Sequence, residues 1–142
     1  MKKLIIGVDP DVDGKGFAIY EDGVLTEFKI LSLIHLYQFI EMVEYPIYEI
    51  EVHIEDLHSN KGCWTGGGSG GARNVGRCEQ MQLEVERVFK HFNIKVVRHK
   101  VSSRWKKGPA ALKEFKRVTG WKGRSNEDTR SAAYFGYLGV IG

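Results

Sequence analysis

Three carboxylates in this 142-residue chain are set apart by where they fall. Asp9 closes the apolar run Leu4-Ile5-Ile6-Gly7-Val8. Glu55 comes at the end of Val52-His53-Ile54-Glu55-Asp56, and Asp128 follows Asn126 and Glu127 at the head of a helical pattern. Acids at two strand ends and one helix start can meet at a point although they lie far apart in sequence. Such a cluster repels itself and calls for cations. Ligands that are all oxygen favour Mg²⁺ or Mn²⁺. Two such ions about 3.5–4 Å apart stabilise both the attacking water and the leaving oxygen of a phosphodiester. Each acid also has a plainer reading. Asp9 before Pro10 could be a turn or cap residue, and Glu55 an edge-strand charge. Glu127 and Asp128 could complement a helix dipole behind an Asn126 cap.

The elements that must position these acids follow from periodicity. Lys3 to Val8 is β-branched and apolar and reads as a buried strand. After the turn-rich stretch Asp9-Pro10-Asp11-Val12-Asp13-Gly14-Lys15-Gly16, Phe17 to Tyr20 forms a second strand. Glu21-Asp22-Gly23 is a hairpin signal ahead of a third strand, Val24 to Lys29. Leu33, Leu36, Tyr37, Ile40 and Val43 recur at helical steps, so Ser32 to Val43 is an amphipathic helix with Ser32 as N-cap and Pro46 marking the exit. Glu51 to Asp56 alternates as a fourth strand. From His58 to Gly71 no element is expected, and Gly66-Gly67-Gly68-Ser69-Gly70-Gly71 reads as a flexible loop. A helix is predicted from about Asn74 to about Phe92, a strand from Ile94 to Arg98, and helices from Ala110 to about Thr119 and Glu127 to about Leu138. That order predicts an α/β domain spanning 1–142. Its mixed five-stranded sheet has three antiparallel strands and then two parallel, flanked by α-helices.

The composition is that of an ordinary globular chain, 42% hydrophobic and 27% charged. No run approaches the ~18 apolar residues of a membrane-spanning helix, so no membrane partner is expected. Cys63 and Cys78 are too few for a disulfide framework and form no metal-binding pair. A reducing, cytoplasmic setting is the expectation. The net charge of +3 hides an asymmetry. Met1 to Asp56 holds 4 Lys or Arg against 12 Asp or Glu, whereas Lys95 to Arg124 holds 11 basic residues and one acid, Glu114. A basic block of that density is either a solvated face or the footprint of a polyanion.

The ordered set of motifs resembles the RuvC Holliday-junction resolvases of the RNase H-like superfamily. Ile6-Gly7-Val8-Asp9-Pro10 followed by Gly16-Phe17-Ala18-Ile19 looks like their first strand, turn and second strand. Ile54-Glu55 resembles the second catalytic acid of the family. Arg104-Trp105-Lys106-Lys107 is similar to the Trp-Lys segment of bacteriophage members, and Asn126-Glu127-Asp128-Thr129-Arg130-Ser131-Ala132-Ala133 to the final acidic helix. The resemblance spans almost the whole chain. It implies an RNase H-like fold and a Mg²⁺-dependent endonuclease (Mn²⁺ substituting, two ions per site) that nicks four-way DNA junctions as a homodimer. In it Asp9, Glu55 and Asp128 are metal ligands and Lys106 is a catalytic cation that would stabilise the transition state. The family commonly places a second acid three residues after the first in the last helix, where this chain has Ser131. Glu127 is therefore the alternative fourth acid. After Asp9-Pro10 the family usually has Gly, where this chain has Asp11, with Asp13 beyond; both read as turn residues.

Further residues fit a DNA role. Trp64 could stack on an unpaired base or anchor its own loop. Arg73 and Arg77 at the start of the long helix could meet phosphates or solvent. Lys95, Arg98, Lys100, Arg104, Lys106 and Lys107 would make binding salt-dependent. The helix from Asn74 to Phe92 is the candidate subunit contact. The five histidines show no metal-ligand spacing, and only His58 lies close enough to Glu55 to support it. Rival readings are a ribonuclease H acting on RNA–DNA hybrids, a flap nuclease, a junction-binding module without chemistry, and a fragment of an actin-like sugar kinase. For the last, the chain is too short to hold both lobes.

Overall fold

A computed structural model of the chain describes residues 3–10, 15–58 and 68–142, with residues 48 and 68–75 described as backbone only. Strands β1 (Leu4–Asp9), β2 (Lys15–Glu21) and β3 (Val24–Leu31) form an antiparallel meander. Helix α1 (Leu33–Met42) and a 3₁₀ turn (Ile47–Glu49) lead to β4 (Ile50–Asp56), which pairs in parallel with β1. Helix α2 (Gly68–His91) then crosses to β5 (Lys95–Lys100), parallel to β4. Helices α3 (Pro109–Thr119) and α4 (Glu127–Ile141) complete the chain. The sheet order is β3-β2-β1-β4-β5, and the predicted mixed sheet of three antiparallel strands and two joined in parallel is present.

β1 is buried along its whole length because both faces of the sheet are covered. Its alternate residues serve two cores. Leu4, Ile6 and Val8 join Phe17, Ile19, Val52 and Ile54 beneath Leu36 and Ile40 of α1 and Val85 and Phe89 of α2. On the other face Ile5, Ala18, Tyr20 and Leu25 meet Phe115 of α3, Ala132 and Ala133 of α4, and Trp105. Here the helix lies almost on the sheet backbone. A Cβ on Gly7 would overlap the Ala132 carbonyl, one on Gly136 would fall 2.6 Å from the Tyr20 ring, and one on Gly139 would overlap the His53 imidazole. The Tyr20 hydroxyl donates to the Ala133 carbonyl at 2.6 Å, and burial pushes its pKa up.

Both predicted caps form. The Ser32 hydroxyl accepts from the His35 N–H, and Asn126 closes a reciprocal capping box with Thr129. One expectation is overturned: α2 begins at Gly68, inside the stretch read as a glycine loop, six residues before Asn74. A helix held by burial of Val85 and Phe89 extends backwards one residue at a time. Each glycine costs it only about 1 kcal/mol relative to alanine. Periodicity could not reveal this extension because Gly68-Ser69-Gly70-Gly71 carries no apolar side chain. No helix among the described residues is long and apolar enough to cross a membrane.

Candidate active site

Asp9 and Glu55 come together through sheet register. Val8 pairs with Ile54 across the parallel β1–β4 ladder, so the next residues on each strand are neighbours. Alternation turns both toward the α4 face, with Ile5 and Gly7 on one strand and Glu51 and His53 on the other. Both carboxylates are deeply set, Asp9 at 4% and Glu55 at 7% exposure. Asp128 arrives from α4. Its helix start rests on Gly16, the residue paired with Asp9, where an added Cβ would lie 2.8 Å from the Asp128 carbonyl oxygen.

The fourth member is Lys106. Its Nζ lies 3.5 Å from Asp9 Oδ2 and 3.9 Å from Asp128 Oδ1. Burial lowers its pKa, but the charges of Asp9, Glu55 and Asp128 and the hydrogen bond to Asp9 outweigh burial and hold it above the usual lysine value. The lysine is held in place from behind. Arg130 of α4 is buried and donates through Nε to the Trp105 carbonyl at 3.1 Å and through Nη2 to the Lys106 carbonyl at 2.9 Å. Its Nη1 reaches Ser125 Oγ at 3.2 Å. Trp105 is fully buried among Phe115, Tyr134 and Tyr137. Sequence reasoning gave Arg130 no role. An arginine two residues after a helix-start acid is an ordinary surface pattern until the partner carbonyls are known.

This arrangement fixes the sign of one pH effect. A folded-state pKa above the unfolded value means that the stabilisation from the Lys106 ammonium is complete below the ordinary lysine pKa. It is lost as pH rises through the folded value. The stability margin of the wild type over Lys106→Met is therefore expected to stay constant between about pH 7 and pH 9 and to shrink above the usual lysine range. Urea unfolding at each pH measures it, and a margin already falling at pH 8 would contradict the geometry.

Solved structures share this sheet and helix arrangement. RuvC of T. thermophilus in complex with a Holliday junction substrate matches at a TM-score of 0.63 and 11% identity, over 98% of this chain and 94% of that one. A second Thermus thermophilus RuvC structure matches at 0.61 and 11% identity, over 97% and 94%. The fold is that of RuvC. No family model matches the chain, and no curated protein matches it in sequence.

Within this RuvC fold the other named residues are placed as follows. Glu127 is exposed on the first turn of α4. Ser131 is buried, and its hydroxyl finds no hydrogen-bond partner among the described residues. His58 turns away from the site to α2, with Nδ1 at 3.3 Å from Glu79 Oε2. The basic block divides. Arg98 forms a two-pronged pair with Glu86 on the α2 side, while Lys95 pairs with Glu51 at 3.7 Å. Arg104 pairs with Glu114 at 2.8 Å but stays largely exposed. Lys107 and Lys100 are exposed, as is Arg77 on α2. Trp64, Cys63, Asp11, Asp13 and the Arg73 side chain lie outside the described residues.

A hard divalent cation suits the chemistry of the donors, which are carboxylate oxygens beside the Lys106 ammonium. Among the described residues no group of three or more His, Cys, Asp and Glu side chains is closed around a metal position. Lys106 is, among the described residues, a cation on which the charges of all three acids act. Sequence reasoning also missed a part-buried chain on the same sheet face, centred on the buried His53. His53 Nε2 meets Glu51 Oε1 at 2.6 Å, and its Nδ1 meets His99 Nε2 at 2.7 Å. The spacing Glu51-x-His53 on one strand gave no hint of His99 on the next.

Proposed function

We propose that the chain is a divalent-metal-dependent DNA endonuclease acting on branched DNA, with the four-way junction as its substrate and paired symmetric nicks as its product. The observation that carries this is Lys106 lying 3.5 Å from Asp9 and 3.9 Å from Asp128, with Glu55 beside Asp9 through the β1–β4 register, in a fold shared with a RuvC solved on a Holliday junction. Asp9, Glu55 and Asp128 would hold Mg²⁺ or Mn²⁺. When bound, the ions supply positive charge at the scissile phosphate and lower the pKa of the attacking water. Lys106 keeps its proton at neutral pH, separates the carboxylates until the substrate arrives, and offers a permanent cation to the phosphate. Arg104 and Lys107, exposed on either side of it, meet the flanking backbone, with Lys100, Arg73 and Arg77 as outlying contacts and Trp64 at the branch point. The setting proposed is the cytoplasm of a bacterial or phage-infected cell, with an organellar source as the alternative.

Two symmetric cuts need two sites, so the working form is a homodimer. We place its contact on the α2 side, where Ile34 and Tyr37 of α1 stand exposed beside α2. Sedimentation at increasing concentration measures that assembly.

The deciding experiment is cleavage of a synthetic four-way junction with Mg²⁺, Mn²⁺ or EDTA, against a linear duplex of equal length. Metal-dependent paired nicks confined to the junction are expected. Tight junction binding without cuts under any divalent ion would favour a binding module, a reading to which Ser131 in place of an acid gives some support. Equal cutting of hybrid, flap and junction would leave a general nuclease.

A further inference from the structure

Behind the end of β4, on the face opposite the carboxylates, α2 carries two buried polar side chains one turn apart. Gln82 is 0% exposed and Glu86 is 2% exposed. An α2 surface over a sheet is normally apolar, as it is here at Val85 and Phe89. All three hydrogen bonds of the Gln82 amide are aimed. Oε1 accepts from the Leu57 N–H at 2.7 Å, while Nε2 donates to Asp56 Oδ1 at 3.2 Å and to Glu86 Oε2 at 3.3 Å. The amide cannot be turned over, because its NH₂ would then face an N–H and its oxygen two carboxylates. Glu86 is fixed in turn by the two-pronged Arg98 guanidinium of β5, at 2.8 and 2.7 Å. One continuous chain thus joins β5, α2, the last residue of β4 and the first residue beyond it.

Burying such a network instead of apolar side chains usually gains no stability, but it does specify position. Asp56 and Leu57 immediately follow Glu55. In a pleated strand, a slip of one residue would carry Glu55 from the α4 face to the α2 face. We propose that Gln82, backed by Glu86 and Arg98, is a positioning residue that locks the end of β4 and so aims Glu55 at Asp9 and Lys106. The kinetic consequence rests on the nuclease function proposed above; the positional one does not.

The test separates the two. Gln82→Met keeps the volume and removes the three hydrogen bonds, and Ile40→Val serves as a control with a destabilising change elsewhere in the same core. The first measurement uses the protein alone, following the Glu55 carboxyl and Lys106 ammonium resonances by NMR. Both are expected to move in Gln82→Met and to stay in Ile40→Val. Unmoved resonances in a folded Gln82→Met would overturn the proposal whatever the chain cuts. Should that variant not fold, Arg98→Lys, which loses the two-pronged contact at a half-exposed side chain, is read in the same way. On junction DNA the expected loss is in kcat, up to about 10²-fold for a displaced reacting group, with KM unchanged. A matching loss in Ile40→Val would make the effect merely structural. A wild type that cuts nothing would defeat the nuclease function and leave the resonances to decide the lock.

Discussion

Asp9→Asn is expected to reduce junction cleavage by about 10³-fold or more while leaving junction binding intact. A loss of that size corresponds to about 4 kcal/mol of transition-state stabilisation. The substitution keeps the shape of a side chain that is 4% exposed and removes only its charge. Asp9 is also the carboxylate nearest Lys106, at 3.5 Å. Its loss therefore removes the closest negative charge from the ammonium and a ligand from any divalent cation. Combining it with Glu55→Gln and Asp128→Asn should leave no measurable cutting. Gel-shift titration and single-turnover cleavage on the same junction separate binding from chemistry. Cutting by the triple variant at anything near the wild-type rate would refute the assignment of these acids.

Among the described glycines, Gly7→Ala is expected to be the most damaging single-methyl change. The new Cβ would overlap the Ala132 carbonyl and crowd the Gly136 backbone, and helix backbone cannot swing aside as a side-chain tip can. Relief requires moving α4 off the sheet. Overpacking of this kind costs about 1–3 kcal/mol and occasionally more. The upper end corresponds to a fall in Tm of about 10 °C for a chain of this size. Because α4 carries Asp128, the variant should also lose cleavage at temperatures where it is still folded. Calorimetry with an activity measurement well below the new Tm checks both parts. A Tm within about 2 °C of wild type would mean that the helix does not lie as close as described.

The fold was largely legible because its elements announce themselves locally. An apolar run of β-branched residues marked β1, alternation marked β4, Glu21-Asp22-Gly23 marked the hairpin, and Ser32 and Asn126 marked helix starts where they occur. Asp9, Glu55 and Asp128 could be singled out for the same reason, since each sits at the end of a recognisable element. What stayed hidden depends on contacts between distant segments. The start of α2 at Gly68 has no periodic signal, and the last residues of β5 were missed because an edge strand alternates weakly. Arg130, Gln82 and the His53–His99 pair have their roles chiefly through partners 24 to 46 positions away. No local pattern encodes such partners. Arg98 shows the converse: counted with the basic block in the sequence, it is committed to Glu86 in the structure.

The attachment of Lys106 to Arg130 has a mechanical consequence. Lys106 and Asp128 both hang on α4, one through two backbone carbonyls gripped by Arg130 and the other directly. Asp9 and Glu55 belong to the sheet. The four charged groups therefore divide into two bodies that meet along a single seam. Any cation or phosphate that touches both bodies acts as a rivet across that seam and raises the melting temperature of the whole domain with its concentration. A ligand held by the folded sheet or helix alone also raises the melting temperature by mass action. Thermal shift against ion concentration thus reads occupancy of the folded site, without any cleavage taking place.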